Sequence, residues 1–152
     1  MKFLVIEDND IKFGLLVNFL SNASTTKEIV RAASYQAGIE KLVYNKFDWV
    51  FLDMTLPVSD LALSPVDMEF LTLGGQYVLR ECHRRAIRTK IIIVSQYKSF
   101  VLENRELSFE QLRDEIMLHY KELVIGCVYL DRASDAWKLE ISKLLNYEDI
   151  NH

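Results

Sequence analysis

Short apolar runs alternate along this chain with stretches where apolar residues recur every three or four positions. Lys2 to Ile6 is an apolar run that ends in acids, as a buried strand does. Phe13, Leu16, Val17 and Leu20 follow at helical spacing, with Asn9 or Asp10 as the candidate cap. Ser21 to Thr26 is polar and predicts a turn, and Glu28 to Ala33 predicts a short strand. Ser34 is placed to cap a helix in which Tyr35, Ile39, Leu42 and Val43 share a face. Trp49 to Leu52 predicts a buried strand running straight into Asp53.

The pattern then loosens. Pro57 and Pro65 are the only prolines, and Met54 to Leu73 is expected to be a long loop. Gly74-Gly75 precedes a predicted helix that ends near Arg85. Lys90 to Val94 is the plainest strand, since its β-branched residues suit a buried pleated surface. Ser108 and Gln111 have capping-box spacing, and Phe109, Leu112, Ile116, Met117 and Tyr120 line one side of the helix that follows. Leu123 to Leu130 predicts a further strand. Ser134 is a candidate cap for a last helix carrying Trp137, Ile141, Leu144 and Leu145. Five strand–helix units without repeats or linkers imply an α/β fold, a parallel sheet with helices on both faces. One domain is expected over 1–147, with a short polar tail at 148–152.

Composition changes this picture little. Half the residues are hydrophobic, the net charge is −4 and the pI is near 5.4, which argues against direct nucleic-acid binding. No apolar run reaches the roughly 18 residues a membrane span needs. The amino-terminal segment meets acids at Glu7, unlike a secretory signal, so a cytoplasmic location is expected. Cys82 and Cys127 have no metal-ligand spacing and read as small core residues. The three histidines, His83, His119 and His152, are scattered and read as surface or packing residues.

The candidate chemistry lies where the strands end. In a parallel open sheet, sites form outside the carboxyl ends of the strands. The predicted strands end in Glu7-Asp8, in Asp53, in Ser95 and near Tyr129, with Arg132 three residues on. Three neighbouring carboxylates repel unless a cation joins them. An all-oxygen donor set favours a hard ion such as Mg²⁺. Mg²⁺ beside a nucleophilic carboxylate, a hydroxyl and a cationic side chain is apparatus suited to phosphoryl transfer through an aspartyl-phosphate. Taken singly, these residues have plainer readings: acids where strands meet water, a turn hydroxyl at Ser95, an amphipathic aromatic at Tyr129. For Arg132 the plainer reading is a surface arginine pairing with Asp131 or Asp135.

The segments VIEDN at 5–9, FLDMTLP at 51–57, IIIVS at 91–95 and VYLDR at 128–132 resemble, in order, the four signature regions of response-regulator receiver domains. The resemblance covers nearly the whole chain. It implies a doubly wound, flavodoxin-like five-stranded sheet of strand order 2-1-3-4-5. It also implies that Asp53 is the phosphoacceptor, that Glu7 and Asp8 are metal-binding acids, and that the Thr55 backbone carbonyl is a further Mg²⁺ ligand. Ser95 and Tyr129 fill the two switch positions, and Gly75 matches the glycine that opens the third helix. The chain departs from the family pattern at Arg132, where lysine is usual. Arginine keeps the charge but spreads it over a planar fork. Two stretches are also longer than usual: about 59–73, carrying Asp60, Asp67 and Glu69, and about 98–122, expected to lengthen the fourth helix or add a turn before it.

The function this implies is a signalling switch and not a conventional turnover enzyme. It would take phosphate from a histidine kinase or phosphotransfer protein and signal to an output protein through its own surface. The alternative is a non-phosphorylated pseudo-receiver, an interaction module that keeps the fold. Two enzyme readings fare worse. An FMN protein wants a Ser/Thr/Gly-rich phosphate loop where this chain has Glu7-Asp8-Asn9-Asp10, and a two-aspartate phosphatase wants Asp where this chain has Thr55.

Overall fold

The structure, a computed structural model, describes residues 1–23, 28–57, 74–102 and 104–150. The long stretch expected at 59–73, with Asp60, Asp67 and Glu69, lies outside the described residues, as do 24–26 of the expected turn.

The sheet forms because its strands are apolar on both faces. In β1 (Lys2–Ile6), Leu4 and Ile6 enter one core layer while Phe3 and Val5 enter the other. The same split recurs in β3 (Trp49–Leu52), between Val50/Leu52 and Trp49/Phe51, and in β4 (Lys90–Ser95), between Ile91/Ile93 and Ile92/Val94. Double-sided burial of this kind requires helices above and below a parallel sheet. With β2 (Glu28–Ala32) and β7 (Val124–Tyr129), these strands form one parallel sheet of order β2-β1-β3-β4-β7. This is the expected 2-1-3-4-5 order, with β7 in fifth place because two further strands precede it in the chain.

Those two strands are where the structure departs from expectation. The addition after Ser95 is neither a longer helix nor an extra turn; it is an antiparallel hairpin of β5 (Ser99–Leu102) and β6 (Arg105–Ser108). Phe100 lies opposite Leu107 and both are buried, which gives the pair an inward face. Asn104 has a φ of 64°, a left-handed conformation that asparagine tolerates better than most residues and that tight hairpin turns demand.

Helices α1 (Asp10–Ala23) and α5 (Ala136–Ile150) cover one face through Leu16, Leu20, Trp137 and Ile141. Helices α2 (Tyr35–Tyr44), α3 (Gly74–Arg84) and α4 (Phe109–His119) cover the other through Ile39, Leu42, Val78, Leu79, Leu112 and Ile116. Both trytophan rings, Trp49 and Trp137, are core residues. Three of the expected caps are in place, while Ser134 lies two residues before α5 and accepts from the Ala136 N–H at 3.1 Å. The Asn9 side chain accepts from the Lys12 N–H at 3.0 Å, Ser34 accepts from Ala37, and Ser108 and Gln111 form a reciprocal capping box. Ends differ slightly: α1 takes in Ser21 to Ala23 of the expected turn, and α5 runs to Ile150, so 148–150 of the expected tail are helical. Burial pushes the Cys82 and Cys127 thiols up to about 12, so both are inert packing groups. Among the described residues, no helix is long and apolar enough to cross a membrane.

Candidate functional site

The sheet carries its acids to one edge by continuing its own backbone pairing. The Glu7 N–H, one residue past β1, donates to the Ala32 carbonyl at 2.9 Å. The Asp53 N–H, one residue past β3, donates to the Ile6 carbonyl at 3.0 Å. Both side chains therefore leave a rigid ladder, which fixes their direction. One carboxylate oxygen from each of Glu7, Asp8 and Asp53 lies within 4.8 Å of the others. Glu7 and Asp53 are only 1% and 5% exposed, whereas Asp8 faces solvent.

The cation against these acids is Lys12, from the first turns of α1. Its side chain is 1% exposed. Its Nζ lies 2.7 Å from Glu7 Oε2 and 3.0 Å from Asp53 Oδ1, and it donates to the Val94 carbonyl at 2.6 Å. A buried ammonium is tolerable only with such company, because desolvating it alone costs several kcal/mol. Sequence reasoning missed Lys12, although a signal was present. Lys12, Leu16 and Leu20 form an i, i+4, i+8 row, and all three are buried. A lysine on a row that otherwise packs leucine needs a reason.

Arg31 was missed too. Its Nε donates to the Glu7 carbonyl at 3.1 Å, its Nη2 reaches the Asp8 carbonyl and the Asp10 carboxylate, and its guanidinium lies 4.2 Å from the centre of the Phe13 ring. It ties the loop carrying both acids to β2 and α1.

The other expected residues are placed as follows. Thr55 turns its hydroxyl to the Asp53 carboxylate at 3.3 Å. Ser95 is fully buried and its Oγ accepts from the Tyr97 N–H at 3.1 Å, leaving its own proton free to donate. Tyr129 packs edge-on against Phe109 of α4, and the Lys98 ammonium sits over its ring. Gly75 brings α3 hard against the loop carrying Asp53. Its N–H bonds the Met54 carbonyl at 3.0 Å, and a Cβ there would stand 2.5 Å from the Asp53 carbonyl oxygen. Only glycine permits that approach. Arg132 is not among the groups brought to Asp53: it is exposed and donates to the Gln96 side chain at 3.2 Å.

Electrostatically, the cluster is over-supplied with negative charge. Burial first, and Asp53 second, push the Glu7 carboxyl up to about 7 against the pull of Lys12. Burial and Asp53 also raise Asp8. Among the described residues, Glu7 Oε2 is buried and accepts no well-formed hydrogen bond; its contact with Lys12 at 2.7 Å is an ion pair. An unfilled carboxylate lone pair in an all-oxygen cluster suits a hard divalent cation, and these residues fit one.

No protein-family model matches the chain. Over 146 residues it is 31% identical to the Detocs response regulatory protein DtcB of Enterobacter cloacae (strain JD6301), an alignment that spans 94% of this chain and 97% of that protein. The chain belongs to the response-regulator receiver family. Solved receiver structures share its fold. The phosphorylated cyanobacterial phytochrome response regulator RcpA matches with a TM-score of 0.64 at 16% identity, over 96% of this chain and 91% of that one. The response regulator TrrA of Thermotoga maritima, in complex with Mg²⁺–BeF, matches with a TM-score of 0.59 at 19% identity, over 94% and 97%. Receiver membership makes this chain a signal-transduction protein, and the acid cluster stands where a receiver sheet gathers its strand ends.

Proposed function

We propose that this receiver is a phospho-accepting switch in which Asp53 takes a phosphoryl group from a histidine kinase or a phosphotransfer protein. The observation that carries the reading is the Asp53 carboxylate itself. It is nearly buried, fixed by the β1–β3 ladder, and set among Glu7, Asp8 and an ammonium. Glu7, Asp8, Asp53 and the Thr55 backbone carbonyl would hold Mg²⁺, which would supply charge neutralisation to the phosphoryl oxygens. An Asp53 oxygen attacks phosphorus, the donor's P–N bond breaks, and the imidazole leaves. The Ser95 hydroxyl then donates to a phosphoryl oxygen, and the loop from Ser95 to β5 and the Tyr129 ring follow it. Output passes to a partner protein by surface contact in the cytoplasm, and the chain turns over no substrate other than its own phosphoryl group.

A second reading, an interaction module that is never phosphorylated, is favoured by one observation: Arg132, where the family usually has lysine, faces Gln96 instead of Asp53. Intact mass after treatment with phosphoramidate and Mg²⁺ separates the two. The wild type should gain one phosphoryl group, while Asp53→Asn, or wild type with chelator, should gain none. A wild type that gains nothing leaves the module reading standing, and an increment on Asp53→Asn puts the acceptor elsewhere.

A further inference from the structure

We propose that Lys12, delivered from the first helix, is the cationic residue that serves phosphoryl transfer in this receiver, and that Arg132 plays no part in it. The proposal rests on the phospho-acceptor reading of Asp53. The resemblance expects this charge at the end of the last sheet strand, where Arg132 is exposed and engaged with Gln96. The structure has it on α1 instead. The Lys12 Nζ is 3.0 Å from the Asp53 oxygen Oδ1 and is held from behind by the Val94 carbonyl, near the end of β4.

A purely structural role explains this lysine poorly. Its row on α1 is completed by Leu16 and Leu20, both 1% exposed, and an apolar residue there would pack without needing partners. A buried ion pair gives little or no net stability over such packing. The position is better explained by what the ammonium faces. When Asp53 gains a phosphoryl group, negative charge grows beside Oδ1, and a pre-positioned cation stabilises that growth without reorganising. The Lys12 ammonium has three N–H groups and three oxygens within 3.0 Å of Nζ, those of Val94, Glu7 and Asp53, so a phosphoryl oxygen on Asp53 would take the proton that now faces Asp53 Oδ1.

The same geometry sets Lys12 against the metal. It already neutralises Glu7 and Asp53, the two buried acids of the cluster, and so it competes with a divalent cation for them. Removing its charge should therefore have opposite effects: tighter Mg²⁺ binding and slower phosphoryl uptake. A residue that only held the fold would move both in the same direction.

The test uses the full chain as wild type, Lys12→Met and Arg132→Ala. Phosphorylation by phosphoramidate is followed by intact mass, and Mg²⁺ affinity by calorimetry. Lys12→Met should take up phosphate roughly tenfold to a hundredfold more slowly and bind Mg²⁺ about three- to tenfold more tightly. Arg132→Ala should stay within about twofold of wild type in both, because its side chain lies outside the site. An unchanged rate in Lys12→Met, weaker Mg²⁺ binding there, or a large rate loss in Arg132→Ala overturns the proposal. If Lys12→Met does not fold, the exposed Arg132→Ala still decides. Should the wild type accept no phosphate, the function reading falls, but the Mg²⁺ arm still judges Lys12.

Discussion

Replacing Glu7 with glutamine should stabilise the metal-free protein while weakening its hold on Mg²⁺. Glu7 is 1% exposed and its carboxyl is pushed up to about 7 by burial and by Asp53, from an ordinary 4.5. Between those two values the folded protein keeps a proton that the unfolded chain has released. The unfolded state then binds fewer protons, so stability falls as pH rises from about 4.5 through 7. At ~1.4 kcal/mol per pKa unit, the full cost of ionised Glu7 at pH 8 is about 3 kcal/mol. Glutamine keeps the shape and never ionises. Glu7→Gln should therefore unfold up to about 3 kcal/mol later than wild type at pH 8, and close to it at pH 4.5. For a chain of this size that is roughly 2–4 °C of melting temperature per kcal/mol. The assay is denaturant unfolding at pH 4.5, 6, 7 and 8 in chelator, repeated at saturating Mg²⁺. Mg²⁺ should flatten the wild-type pH slope, since it favours the ionised acids, and should help the variant much less. A variant less stable than wild type at pH 8 without metal would show that the Lys12–Glu7 ion pair outweighs burial, and would refute the reasoning.

Two further outcomes follow from the loop after β4. Tyr97 is half exposed and its N–H bonds the Ser95 hydroxyl oxygen, which fixes its backbone beside that hydroxyl. Tyr97→Ala should admit water and speed loss of the phosphoryl group at fixed Mg²⁺; decay equal to or slower than wild type counts against a shielding role. The β5–β6 hairpin joins Ser95 to α4 and is pinned by the Phe109 N–H on the Lys98 carbonyl at 2.9 Å. A hydrogen bond from Ser95 to a charged phosphoryl oxygen is worth about 1.5–3 kcal/mol, enough to bias a loop with a gap of that size. Amide exchange over 99–108 should change on phosphorylation, and identical protection in both states would remove the hairpin from the switch.

The sequence by itself determined the layered sheet. Its apolar runs at 3–6, 49–52 and 91–94 are continuous, and a strand covered on both faces uses such a run, so parallel order and helices on either side follow from pattern. The acids were legible for the same reason, because Glu7, Asp8 and Asp53 sit where those runs stop. The caps at Ser34 and Ser108 are local devices, set by residues three apart, and could be read directly. The hairpin was harder. Ser99 to Ser108 is short, and its inward residues, Phe100 and Leu107, fit a helix turn as well as a strand until the core chooses between them. The source of the cation was decided only by the tertiary structure. Arg132 and Lys12 are both basic residues near a strand end, and nothing local separates them. What separates them is that α1 packs its 12–16–20 row under the sheet edge, so Lys12 must either find oxygen partners or be expelled, while Arg132 stays in water where nothing obliges it to turn toward Asp53.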